Sequence, residues 1–166
     1  FGKVLGGCFP IGAFCGSKKI MERLDSLLYE RPRYSFHGGT FTANPITMTA
    51  GLATLKILED GQLINQLNKL GDKIREQLRE IFEANAVCVQ VTGASSLFNT
   101  HFTKEEVKDA SAAFRADRKK LIGYHLKLIA NGVFFLPTHT GALSTTHSQT
   151  DIEKLLSETQ SHMKQL

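Results

Sequence analysis

Apolar residues recur at spacings of three and four along two stretches of the chain and alternate with polar ones along a third. Between 63 and 85, Leu63, Leu67, Leu70, Ile74, Leu78, Ile81 and Phe82 share one side of a helix, the pattern of a long amphipathic surface helix. Residues 44–59 mix Ala50, Gly51 and Ala53 with Leu52, Leu55 and Ile57. Small residues of that kind allow close packing, so this helix is expected to be largely buried. Asn44-Pro45 opens it, with Asn as N-cap and Pro at the first helical position, and Asp60-Gly61 breaks it from the next. Upstream, Ser17 is read as the N-cap of a helix over 18–28, with Ile20, Leu24, Leu27 and Leu28 on one side. Residues 1–16 read as a short strand end, a glycine turn and a second short strand around 12–15. An irregular connection containing Pro32 follows at 29–34, then an extended or looped run over 34–43.

Past Asn85 the period becomes two. Val87, Val89 and Val91 alternate with Cys88, Gln90 and Thr92, which predicts a strand. A turn over 92–96 leads to a second strand over 97–102. Residues 110–131 form a helix closed by Asn131-Gly132. A strand over 133–136 stops at Pro137, and a loop of small and polar residues over 138–146 has room for a short strand. Thr150-Asp151-Ile152-Glu153 reads as a capping box opening a last helix to about 163. The expected organisation is therefore a mostly helical part, 1–85, with no sheet of its own, and a small α+β unit, 86–166. Buried-looking helices with little sheet to cover imply a missing partner. The chain reads as the C-terminal part of a larger α/β protein whose bulk lies upstream of Phe1.

Composition narrows the function. At 166 residues, 42% hydrophobic and 22% charged, the chain is an ordinary globular one with one good core or two small ones. No apolar run reaches bilayer length, so no membrane partner is expected. The glycine-rich opening lacks a basic leader and is interrupted by Pro10, unlike a secretory signal. The net charge of +4 is scattered among acidic residues rather than gathered in a stripe, which argues against nucleic acid. Cys8, Cys15 and Cys88 form no metal-type pair, and their odd, sparse use points to a reducing, cytoplasmic setting. The six histidines do not cluster, so no metal site is expected.

Two strings carry candidate chemistry. The first is Phe1-Gly2-Lys3-Val4-Leu5-Gly6-Gly7-Cys8-Phe9-Pro10-Ile11-Gly12-Ala13. A lysine in apolar company has its charged form disfavoured, which frees the amine for imine chemistry. The glycines let the backbone turn sharply. Alone, such a lysine is more often a strand-edge residue beside a turn. The second string is His37-Gly38-Gly39-Thr40-Phe41-Thr42-Ala43-Asn44-Pro45. It sets flexible backbone and a hydroxyl just ahead of a helix start, where a phosphate is well held; the plain alternative is a glycine loop before a capped helix. Gly12 to Lys18 superficially resembles a P-loop, but it is one residue short between its glycines, and its lysine follows Ser17.

Together the two strings resemble the lysine loop and the phosphate-contacting loop of the class III, fold-type I, pyridoxal-phosphate-dependent aminotransferases. Within that class they are most similar to glutamate-1-semialdehyde 2,1-aminomutase and its relatives. The likeness continues through Ala50-Gly51-Leu52-Ala53-Thr54-Leu55, Gly132-Val133-Phe134-Phe135-Leu136-Pro137 and His147-Ser148-Gln149-Thr150-Asp151-Ile152. It implies an α/β fold of which this chain holds part of the large cofactor domain (1–85) and a small C-terminal α+β domain (86–166). It further implies pyridoxal 5'-phosphate as cofactor and Lys3 as the residue that forms the internal aldimine and then moves a proton. Gly39 and Thr40 would bind the phosphate, Thr40 reaching the cofactor held by the other subunit of a homodimer. The substrates implied are a small-molecule amino donor and an oxo acceptor.

Two departures accompany the resemblance. The family's acidic partner of the pyridine nitrogen, its stacking aromatic and its other phosphate loop precede the lysine, so the chain as given holds half a cofactor pocket. The aminomutase pattern also places a glutamate after the C-terminal proline, whereas Pro137-Thr138-His139-Thr140-Gly141-Ala142-Leu143-Ser144 is shorter and has no acid. That change falls where a substrate tail would be read and favours a transaminase acting on β- or ω-amino substrates. His139 is expected to be an exposed loop residue. The alternative to an enzyme is a non-catalytic dimerisation or regulatory module descended from one.

Overall fold

The computed structural model describes residues 1–7, 9–29 and 33–164, the side chain of Lys3 excepted. Cys8 and residues 30–32, within the irregular connection expected over 29–34, lie outside the described residues. The chain forms two compact units, Phe1–Gly61 and Gln62–Leu166. The helix that follows Gly61 supplies the floor of the second unit's core.

In the first unit the chain folds back on itself at its start. Phe1 and Ala13 exchange backbone hydrogen bonds, and Gly2 bridges Gly12 in antiparallel sense. The expected strands are reduced to this single bridge, with a 3-10 turn, Lys3–Gly6, between its arms. Gly7 ends that turn at φ 52°, a left-handed conformation natural to glycine. Helix α1 (Lys18–Met21) gives way to a 3-10 turn at Glu22–Leu24, short of the expected end at 28. Its end has a local cause: Asp25 turns its carboxylate onto the Leu27 N–H at 2.8 Å, and such side-chain bonds compete with helix continuation. Helix α2 (Pro45–Leu58) starts where the sequence placed it. Asn44 Oδ1 accepts from Ile46 N–H at 3.0 Å and Thr47 N–H at 3.3 Å. The expected burial of α2 is not realised: only Thr47 and Gly51 are buried, while Ile46, Leu52, Leu55 and Ile57 are more than half exposed.

The second unit opens with α3 (Gln62–Ala84). Strands β1 (Gln90–Thr92) and β2 (Leu97–His101) pair antiparallel with Val91 opposite Thr100, and β3 (Gly141–Ala142) pairs with the other edge of β2. Helices α4 (Ala110–Arg115), α5 (Arg118–Ala130) and α6 (Gln149–Met163) complete it. Ile74, Leu78 and Phe82 line up along α3 and are essentially inaccessible, packed with Phe98, Phe102, Tyr124, Leu128, Ile152, Leu155 and Met163. Each such side chain contributes roughly 1.5–3 kcal/mol through burial. Arg75, also buried, donates to the Ser95 and Leu97 carbonyls at 2.8 and 2.7 Å and pairs with Asp72. The turn before β2 is thereby fastened to α3.

Three expectations change here. The helix over 110–131 is broken in two, because Ala116 turns extended and Asp117 caps α5 by accepting from Lys120 N–H at 3.0 Å. Residues 133–136 have no ladder partner among the described residues, although Val133 and Phe135 pack on the core. The capping box is built by Ser148 and Asp151 rather than by Thr150 and Glu153.

Candidate active site

Both candidate strings lie in the first unit, and packing anchors each of them there. Gly6 is buried against Ile11; a Cβ there would stand 2.5 Å from Ile11 Cγ2. Ile11 in turn fills the space above Gly51 of α2, where an added Cβ would meet Ile11 Cδ1 at 2.8 Å and the Leu5 carbonyl oxygen at 3.6 Å. The lysine turn therefore rests on the middle of α2, the helix whose first turn carries the threonine loop. Just past the end of the first string, Phe14 meets the ring of His37 edge-on, centroids 4.9 Å apart. His37 and Ile11 were legible only as members of the two strings, with no role of their own.

The threonine loop is a tight turn. Thr42 N–H donates to the Gly39 carbonyl at 3.0 Å, and Asn44 N–H to the Phe41 carbonyl at 3.3 Å. Gly38 lies so close to the Phe36 ring that a Cβ would come within 2.5 Å of it. Because Asn44 occupies two of the N–H groups at the start of α2, the helix end itself has little left to offer an anion. The loop does: Gly38, Gly39 and Thr40 are exposed, and among the described residues no partner takes their N–H groups or the Thr40 hydroxyl. Three backbone donors and a hydroxyl with no neighbouring carbonyl to serve match an acceptor-only group such as a phosphate ester. The Lys3 backbone opens the 3-10 turn, and its side chain lies outside the described part.

The other chemistry-bearing features are in the second unit. His139 is exposed, as expected. Among the described residues no group of His, Cys, Asp or Glu is arranged to hold a metal ion, and no helix is long and apolar enough to cross a membrane.

The model of the family described as Aminotransferase class-III matches residues 1–165. This chain belongs to that family. Its relatives include the glutamate-1-semialdehyde 2,1-aminomutase of Methanosphaera stadtmanae, 35% identical over 158 residues that make up 94% of this chain and 36% of that protein. Among solved structures, an omega-transaminase from Sphaerobacter thermophilus is 33% identical with a TM-score of 0.82, covering 99% of this chain and 37% of its own. A beta-phenylalanine aminotransferase from Variovorax paradoxus is 28% identical with a TM-score of 0.83, covering 98% and 37%. The chain thus spans a little over a third of the length of these class-III relatives, and its fold is a piece of the fold-type I architecture.

Proposed function

We propose that the whole protein transfers amino groups with pyridoxal 5'-phosphate, and that Lys3, Gly39 and Thr40 are this chain's contribution to the cofactor site. The reading is carried by one observation: in a chain matched by the class-III model over 1–165, the loop 38–40 presents uncommitted donors beside a helix already capped by Asn44. The residues present fit the cofactor, a primary amine for its aldehyde and donors alone for its phosphate. When bound, the cofactor supplies an electron-withdrawing ring that loosens bonds to the substrate's amino-bearing carbon. Lys3 Nζ holds it and, once freed, carries a proton to and from that carbon, which requires the neutral amine. Gly39 and Thr40 would fix, by N–H and hydroxyl bonds, the phosphate of the cofactor that the other subunit holds, and so set where its reacting carbon stands.

The first compact unit then belongs to the large cofactor domain and the second to the C-terminal domain. A homodimer in which Thr40 serves the neighbouring subunit's cofactor follows from the family resemblance. The exposed apolar face of α2 is consistent with a covering partner. Free, exposed Cys15 and Cys88 suit a cytoplasmic protein. The loop after Pro137, without a carboxylate, supports an amino donor and an oxo acceptor exchanging nitrogen between molecules, with β- or ω-amino compounds as donors, over an aminomutase. A non-catalytic module has no use for both an uncommitted phosphate loop and a lysine turn and is set aside.

The test is reductive trapping: the full-length protein is mixed with pyridoxal phosphate, reduced with borohydride and digested. A pyridoxyl label confined to Lys3 and lost in Lys3→Ala is expected. Labelling spread over surface lysines, or none, would overturn the assignment.

A further inference from the structure

The segment from 133 to 143 is held in an unusual way. Its first part has no strand partner among the described residues, Pro137 has no N–H to give, and β3 beyond it is two residues long. Thr138 stands between them at φ 65°. A β-branched residue in the left-handed region is an outlier that persists only where its surroundings impose it.

What imposes it is His125. This residue of α5 is 3% exposed, and its Nδ1 accepts a hydrogen bond from Thr138 N–H at 3.1 Å. The ring lies flat on Phe135, centroids 5.0 Å apart, and Phe135 meets Phe98 of β2 edge-on at 5.7 Å. The turn is completed by His139 N–H donating to the Leu136 carbonyl at 2.9 Å. A nitrogen that accepts from a backbone N–H carries no proton, so the imidazole is neutral with its hydrogen on Nε2. Beside the ring is a small cavity lined by Thr100, Phe135, His139 and Gly141.

From this geometry we infer that His125 is a positioning residue that latches the loop 137–143: its neutral Nδ1 holds the Thr138 backbone in a conformation the loop does not adopt by itself. No ladder hydrogen bond substitutes for this contact across 133–140 among the described residues. Loss of the acceptor lets Thr138 relax to negative φ, and the relaxation swings the residues on either side of it. The consequence for catalysis rests on the reading above, in which this loop bounds the substrate: the latch then acts on substrate affinity more than on the chemical step.

Two replacements separate acceptor from bulk. His125→Phe keeps a ring to stack on Phe135 but removes the acceptor, whereas His125→Asn places an amide oxygen close to where Nδ1 stood. Hydrogen exchange measured by mass spectrometry on the full-length cofactor-bound protein is expected to quicken about tenfold over 137–143 in His125→Phe, with α3 unchanged. His125→Asn is expected to stay within about threefold of the parent. Unchanged exchange in His125→Phe, or equal acceleration in both variants, overturns the latch. If His125→Phe does not fold, the parent decides: 15N shifts showing the proton on Nδ1 refute the inference, and a proton on Nε2 upholds it. Steady-state kinetics tests the underlying reading separately. A raised KM with little change in kcat supports the loop as a substrate boundary. A faster-exchanging loop with unchanged KM leaves the latch standing and removes the loop from the substrate site.

Discussion

Gly71 and Gly123 each sit inside a helix, and the same change to alanine should move stability in opposite directions at the two. In either helix, alanine removes backbone freedom from the unfolded chain and gains about 1 kcal/mol. At Gly123 of α5 an added Cβ meets nothing within 4 Å, so the gain stands and Gly123→Ala should stabilise by about 0.5–1 kcal/mol. At Gly71 the Cβ would lie 1.9 Å from the Ser95 carbonyl oxygen and 3.1 Å from Arg75 Nη1. An ordinary contact needs 3.4 Å or more, so that carbonyl must retreat by about 1.5 Å, far enough to break the bond it accepts from Arg75. Losing one hydrogen bond from a buried charged group costs about 1.5–3 kcal/mol, and the overpacking adds about 1–3 kcal/mol. After the helical gain, Gly71→Ala should destabilise by about 2–5 kcal/mol. Urea unfolding of both variants and the parent, followed by far-ultraviolet circular dichroism, gives the comparison. A Gly71→Ala midpoint at or above that of the parent would refute the close approach of α3 to the 95–97 turn.

Acid should weaken the second unit through His125. Burial pushes its imidazole down from 6.5 to about 4, so as pH falls through that window the unfolded chain takes up the proton first. Stability is therefore lost between about pH 6.5 and 4, by at most about 1.4 kcal/mol per unit. The titratable and charged groups around the ring are Tyr124 on its own helix, His101 on β2, His139 in the loop, and Asp117 and Arg118 at the start of α5. His101 is also held below its usual range by burial, so His125→Asn should flatten the difference between urea midpoints at pH 7 and 5 without abolishing it; an unaltered difference would refute the role. At the start of α6, Ser148→Ala should cost about 1 kcal/mol, whereas Thr150→Ala should stay within about 0.5 kcal/mol of the parent, both read as shifts in urea midpoint. Equal losses would mean that the box is not the one formed by Ser148 and Asp151.

Local signals in the sequence were legible where one residue type had one use. Asn44-Pro45 could only start a helix, the stripe from Leu67 to Phe82 could only face a core, and Asn131-Gly132 ended α5 with Gly132 at φ 82°. Competition between equals was not legible. Ser148 and Thr150 each have an acid three residues on, and nothing local says which becomes the cap. Asp25 and Asp117 look like ordinary helix residues until their carboxylates are seen accepting from backbone N–H groups ahead of them. The strand expected over 133–136 has the composition of a strand, but composition does not supply a neighbour. At the candidate site the chemistry was readable as two strings, because glycines, a lysine and a threonine in such company are unusual. How each is held was not, since it depends on Ile11 entering the gap over Gly51 and on Phe14 meeting His37. His125 gave no sign at all, standing in a helix whose neighbours Lys119, Lys120 and Lys127 read as a solvated face.

The pairing of α3 with α6 sets when the second unit can close its core. Ile74 and Leu78, near the start of the second unit, close their core against Ile152, Leu155 and Met163 at its end, with the whole sheet strung between them. A ribosome adding about 5–20 residues per second needs on the order of ten seconds to deliver that stretch. Throughout that interval the apolar stripe of α3 has no final partner, and closing so long a loop is slow in itself. A hazard of misassembly in this unit thus lies in the time before α6 emerges, when a chaperone able to cover one amphipathic helix would matter most.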